Sequence, residues 1–442
     1  MSAIAQVLVA RGVRVLGSDR SYDRGQHIDM FGRLSDQGIQ LVPQDGSAVS
    51  DEVDELIVST AVEPSIPDVG AAQRLNVPIR KRAEVLAELF NGGNGIAVGG
   101  TSGKSTVTGM IGHILHEAGQ DPTIVTGGKM RNFETPPGLG NAVNGTGAIV
   151  IEADESDGTI ELYVPKISVL TNISFDHMPL DDLTALFHDF CARASSTSVV
   201  NADCDLSMSA TEGETRTTFS IGGEADVVGH DLQAVPGGMT FEINGRTVDL
   251  PAPGRHNVAN ALAAIAACRS EGVDLDTAAE ALSRFQGIAR RLEVLGTEGS
   301  VTVIDDFAHN PDKLSAAIAA LKAFDGRLHV VFQPHGFGPT KMLREGLVEA
   351  LTSGLGQNDR LWMPEIYYAG GTAERSISSA DLVGDVVAAG LDATFVADRD
   401  ELGEEIVEAT LPGDRVAIMG ARDDSLTDFG HSLLSMLRDR ER

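Results

Sequence analysis

Gly95-Ile96-Ala97-Val98-Gly99-Gly100-Thr101-Ser102-Gly103-Lys104-Ser105-Thr106-Val107 decides the fold. Residues 96–98 form a short apolar strand. Beyond the glycines, Val107, Met110, Ile111, Ile114 and Leu115 recur at the spacing of one helix face. A glycine loop between a strand and a helix turns backbone N–H groups toward the positive end of the helix, which makes a cradle for phosphate oxygens. In such a cradle Lys104 would lie along the β- and γ-phosphates and the Ser105 hydroxyl would ligate Mg²⁺. The loop is a variant, because Val98 stands where the usual pattern has its first glycine. The plain alternative is a glycine-rich turn with no ligand.

Working outward, an apolar helical run at 4–10, a strand at 13–16 and another at 56–59 suggest α/β layering before the loop. Asn91-Gly92-Gly93-Asn94-Gly95 reads as a break between domains. After the loop helix, strands are expected at 148–151, 167–170 and 199–201, and then the chain turns β-rich. Residues 239–250 alternate around Asn244-Gly245, a tight-hairpin signal. A helix is expected at 256–268. Residues 287–300 read as a second boundary, followed by a fresh alternation with strands at 301–304, 328–332 and 415–419 around a helix at 313–323. The expected architecture is therefore α/β with three domains. A Rossmann-like N-terminal domain (1–91) precedes a central P-loop ATPase domain with a β-rich excursion (92–292) and a doubly wound C-terminal domain (293–442).

The 442 residues carry a formal charge of -30, which disfavours binding along nucleic acid or on an anionic membrane. Strong acidity also suits high salt, or simply solubility. Cys191, Cys204 and Cys268 are too few and too scattered for a disulfide framework. No apolar stretch approaches the roughly 18 residues of a membrane span, and the first residues lack a signal-peptide pattern. A cytoplasmic protein is expected.

Strand ends of α/β sheets are where ligand-binding groups project. One such end carries Glu152-Ala153-Asp154-Glu155-Ser156-Asp157, whose four carboxylates suit either a Mg²⁺ site or an acidic loop. Another carries Thr171-Asn172-Ile173-Ser174-Phe175-Asp176-His177, where a lone histidine is as readily structural as ligating.

Taken in order, the loop, Glu152, Asn172, Asp176-His177, Gly254-Arg255-His256-Asn257-Val258-Ala259-Asn260, Arg290-Arg291 and Asp305-Asp306-Phe307-Ala308-His309-Asn310-Pro311 resemble the Mur ligase superfamily over nearly the whole chain. The resemblance implies an ATP-dependent, Mg²⁺-requiring amide ligase that links an amino acid or short peptide to a UDP-N-acetylmuramate-type carboxylate through an acylphosphate, in peptidoglycan synthesis or recycling. Gly100, Thr101, Ser102, Gly103, Lys104, Ser105 and Thr106 would hold the phosphates, with Ser105 on one Mg²⁺ and Glu152 with His177 on a second. Asn257 and Asn260 would read the adenine, Arg291 would contact phosphate, and Asp306 with His309 would complete the nucleotide site. The implied catalytic group is Lys104, Glu152, His177 and Arg291, in a monomer or homodimer. Read without the resemblance, Asn257 and Asn260 could be helix caps and Asp305-Asp306 a turn.

Three departures shape the expectations. The family's first strand and its UDP-contacting glycine loop would precede Met1, so an upstream start, a shortened chain or a different acceptor is expected. Alanine-adding members carry arginines where this chain has Gly336 and Pro339, and Arg422-Asp423-Asp424 replaces a small turn. No lysine lies between His177 and Val200, which matches the members that lack a carbamylated lysine at the metal. The alternatives are a Mur-like ligase with another acceptor, a non-catalytic ATP-binding regulator, or a plain P-loop ATPase or kinase.

Overall fold

The computed structural model describes residues 1–59, 62–63, 65–156, 158–175, 178–368 and 374–440. The chain folds into two compact units, and the second is formed chiefly by 289–442.

The first unit is organised by a ten-stranded sheet in the order Arg246–Leu250, Gly238–Ile243, Val227–Val235, Arg216–Ile221, Thr197–Asn201, Ile167–Leu170, Gly95–Gly99, Ile149–Glu152, Thr123–Val125, Ala142–Val143. The loop strand Gly95–Gly99 lies inside it and is buried throughout, pairing in parallel with Ile149–Glu152 on one side and Ile167–Leu170 on the other. Strands buried on both faces read as continuous apolar runs, which is why 96–98 was legible without alternation. The three strands end side by side, so the loop, Glu152 and Thr171-Asn172 emerge together. At the far edge the hairpin turns at Asn244 and Gly245, both with φ in the left-handed region.

The N-terminal strands pair only two by two: Leu16–Ser18 with Gln40–Val42, and Leu56–Val58 with Ile79–Lys81, all in parallel. The first begins where the sequence placed its end. Val13 belongs instead to the turn closing the helix Ser2–Ala10, since its N–H donates back to Leu8 O at 3.0 Å and Gly12 takes φ 86.

The second unit holds a six-stranded sheet in the order Glu293–Glu298, Val301–Asp306, Arg415–Gly420, Leu328–Gln333, Arg360–Met363, Asp392–Phe395. Its strand residues alternate between two cores. Leu328, Val330 and Phe332 join Ala417 and Met419 against the helices Pro311–Lys322, Phe337–Gly354 and Ser379–Ala388. Val331, Val416 and Ile418 face Arg399–Ala409 and Ser425–Arg440 on the other side. That period-two division is what a doubly wound sheet requires. Part of the stretch read as a boundary, Glu293–Glu298, is an edge strand antiparallel to Val301–Asp306. Its register shifts between Val294 and Gly296. Its residues are only part-buried, so it carried too little apolar pattern to be recognised.

Candidate functional site: a braced phosphate loop

The loop geometry allows only glycine at its two pivots. Gly100 has φ 124, and a Cβ there would meet Thr171 Oγ1 at 2.1 Å. Gly103, the N-cap of the helix Lys104–Glu117, has φ 88, and its Cβ would meet Asn260 Oδ1 at 2.5 Å. The neighbouring strand end grips the loop from below. Thr101 N donates to Asn172 O (3.0 Å), Ser102 N donates to Asn172 Oδ1 (3.0 Å), and Asn172 Nδ2 donates back to Ser102 O (3.0 Å). Thr171 Oγ1 donates to Ser102 O at 2.6 Å, and Ser174 N donates to Thr101 Oγ1 at 3.0 Å. Five hydrogen bonds on two loop residues make a preformed turn whose remaining N–H groups belong to the start of the helix.

Lys104 bends back over this turn. Its Nζ donates to Gly100 O at 2.7 Å and to Glu155 Oε2 at 2.8 Å. Ser105 Oγ donates to Glu152 Oε2 at 3.0 Å. The other Glu152 oxygen accepts from Thr126 Oγ1 and, at 2.9 Å, from Gly127 N. Glu152 is therefore oriented by groups from a third strand end, and its second oxygen is left beside the Ser105 hydroxyl. Paired hard oxygen donors next to a phosphate cradle fit Mg²⁺, which takes one or two protein oxygens and keeps its waters. Burial pushes the Asp154 carboxyl up, but the Ser156 amide and hydroxyl, with Lys104 and Arg82, outweigh it and hold the group below its usual range. His177 and Asp176 lie outside the described residues.

Asn257 and Asn260 are buried inside the helix Arg255–Ser270. They do not cap it. Asn260 Nδ2 donates to Asn257 Oδ1 at 3.1 Å, and Asn260 abuts Gly103, so the pair stands against the loop itself.

The remaining expected residues form a cluster of their own in the second unit. Asp306 is buried and accepts from Leu292 N and Ala308 N, both at 2.7 Å. The Leu292 bond holds a turn in which Arg290 and Leu292 have φ 59 and 47, so Asp306 positions the backbone that carries Arg291. Burial raises the Asp306 carboxyl above its ordinary range, and the nearby Arg291 opposes this. The Arg291 guanidinium lies over the Phe307 ring at 4.6 Å, while His309 Nδ1 is 2.9 Å from Phe307 O. Asp305 is not a turn residue. It is a fully buried strand position bonded by Thr427 Oγ1 at 2.5 Å.

Sequence reasoning passed over three groups of residues. Glu155 was one carboxylate among four, Thr126 and Gly127 orient Glu152, and Thr171 braces the loop. The strand-end positions of Thr171-Asn172 and of the carboxylate run holding Glu155 gave a signal, and Thr126 and Gly127 gave none.

A parallel sheet with a glycine loop, a lysine and a hydroxyl facing a strand-end carboxylate defines a P-loop nucleotide-binding α/β protein. The chain belongs to the Mur ligase family. Residues 1–93 match the Mur ligase family catalytic domain, 98–268 the Mur ligase middle domain and 290–422 the Mur ligase glutamate ligase domain. It is 34% identical to UDP-N-acetylmuramate--L-alanine ligase of Acidithiobacillus ferrooxidans, over 96% of this chain and 94% of the relative. The corresponding protein of Jannaschia sp. is 32% identical, over 100% and 94%. Among solved structures, UDP-N-acetylmuramate-alanine ligase of Thermotoga maritima superposes with a TM-score of 0.80 at 26% identity, covering 100% of this chain and 97% of that one. The murein peptide ligase of Psychrobacter arcticus shares the fold, with a TM-score of 0.67 at 24% identity over 99% and 96%. The three-domain α/β architecture is that of this family. No helix among the described residues is long and apolar enough to cross a membrane.

Proposed function

We propose that this chain is an ATP-dependent, Mg²⁺-requiring ligase that joins an amino acid or short peptide to a UDP-N-acetylmuramate-type carboxylate, acting in the cytoplasm in peptidoglycan synthesis or recycling. The observation that carries this is the 3.0 Å contact between Ser105 Oγ and Glu152 Oε2 beside the Lys104 loop, a pair of hard oxygens of the kind Mg²⁺ takes. The relatives named UDP-N-acetylmuramate--L-alanine ligase support the acceptor and the bond formed.

Bound Mg²⁺-ATP supplies the phosphoryl group that turns an unreactive carboxylate into an acylphosphate open to attack by an amine. Little covalent work is then left for side chains, so the protein must align and neutralise. The braced loop aims N–H groups at phosphate oxygens, Lys104 offsets their charge, and Ser105, Glu152 and His177 are proposed to hold the metal. By the family resemblance Asn257, Asn260, Arg291, Asp306 and His309 are assigned to nucleotide recognition. In this reading 1–91 takes the acceptor, 92–292 the nucleotide and 293–442 the incoming amine.

The test is phosphate release with UDP-N-acetylmuramate and either L-alanine, other single amino acids or a murein tripeptide. Release that requires both an acceptor and an amine is expected. Release independent of every acceptor and amine would overturn the ligase reading. Lys104→Ala should lower turnover by at least about a hundredfold, the scale of losing one preorganised charge stabiliser. Full turnover in that variant would refute the role given to Lys104.

A further inference from the structure

The Lys104 ammonium has an anionic partner. It is paired at 2.8 Å with Glu155, whose side chain is 3% exposed against 17% for the lysine. A carboxylate on this lysine is chemically a stand-in for a phosphate oxygen: it is anionic, offers an acceptor lone pair and sits at charge-assisted hydrogen-bond distance. The loop also presents Gly100 O to the same amine at 2.7 Å, so the lysine is held on two sides.

From this geometry we propose that Glu155 is a resident counter-anion, which holds Lys104 in the nucleotide-free protein and is exchanged for nucleotide phosphate on binding. The proposal rests on the reading of the loop as a nucleotide site. Two anions crowding one part-buried lysine repel, and a buried carboxylate that loses its partner bears its desolvation cost alone. Nucleotide binding therefore works against the Glu155 pair and should loosen the strand-end segment 153–156, which also carries Asp154.

Titration calorimetry with ADP and Mg²⁺ on the full chain tests this with wild type, Glu155→Gln and Lys104→Ala. Glu155→Gln is expected to bind about tenfold more tightly than wild type, the scale of about one charge-assisted hydrogen bond no longer competed for. Its nucleotide-free melting temperature should fall. Equal or weaker binding by Glu155→Gln, with Lys104→Ala also weakened, would overturn the exchange and leave Glu155 as a residue that positions the lysine. Unchanged ADP binding by Lys104→Ala would instead overturn the nucleotide reading of the loop. Hydrogen exchange of the unmodified protein gives a readout that needs no variant. Amides of 153–156 should exchange faster with ADP bound, and slower or equal exchange counts against the proposal.

Discussion

At Gly100 a single hydrogen atom separates a working loop from a collision. Its φ of 124 is one that L side chains rarely adopt, and a Cβ would be 2.1 Å from Thr171 Oγ1, itself engaged with Ser102 O. Gly100→Ala should therefore cost about 3 kcal/mol of stability or more, read as a lower urea midpoint, together with lost ADP binding. An unchanged midpoint would sink the account of the brace. The need for glycine here was legible as a motif; its physical cause was not, because Thr171 is seventy-one residues downstream in sequence. Glu155 shows the converse. In sequence it is one of four carboxylates, and only folding buries it against Lys104 while leaving Asp154 to its local Ser156 bonds.

The helix Lys104–Glu117 shows what its packing imposes. His113 is buried in it, with Nε2 2.9 Å from Ala281 O on the neighbouring helix Leu275–Ser283 and Nδ1 without a hydrogen-bond partner among the described residues. Desolvation by burial lowers its pKa from 6.5 and outweighs the Ala281 carbonyl and Glu117, which would raise it. The folded value is depressed, so the unfolded chain takes up the proton first. This part of the stability is complete above pH 6.5 and is lost as pH falls below it. Melting curves between pH 7 and pH 5 should show a smaller acid-induced drop in His113→Gln than in wild type, at about the pH where free histidine titrates. Equal drops would remove His113 from the account. The helix itself was readable, since five apolar residues fall on one face. Glu293–Glu298 was not, because an edge strand with no fully buried residue lacks that periodicity, and only its ladder with Val301–Asp306 identifies it.

Across the whole molecule it is net charge, formally -30, that sets the response to salt. Self-repulsion of that size opposes the compact state and is screened by added ions. The melting temperature should rise from low salt to about 1 M KCl, where the screening length is near 3 Å. A falling temperature would mean that specific ion pairs outweigh the net repulsion. The sequence by itself determined the strand–loop–helix core around Gly95–Glu117, the alternation of strands and helices on either side of it and the kinship of the chain, because those depend on local periodicity and on residue types at fixed spacing. Only the tertiary structure decided which partners the candidate residues keep. It sets Ser105 against Glu152, Asn260 against Gly103 and Lys104 against Glu155, and it commits Asp306 to the backbone amides of Leu292 and Ala308. Each of these meetings joins positions brought together by parallel strands, buried helix faces or a turn, and such distances are written in the packing of the sheet and not in the spacing along the chain.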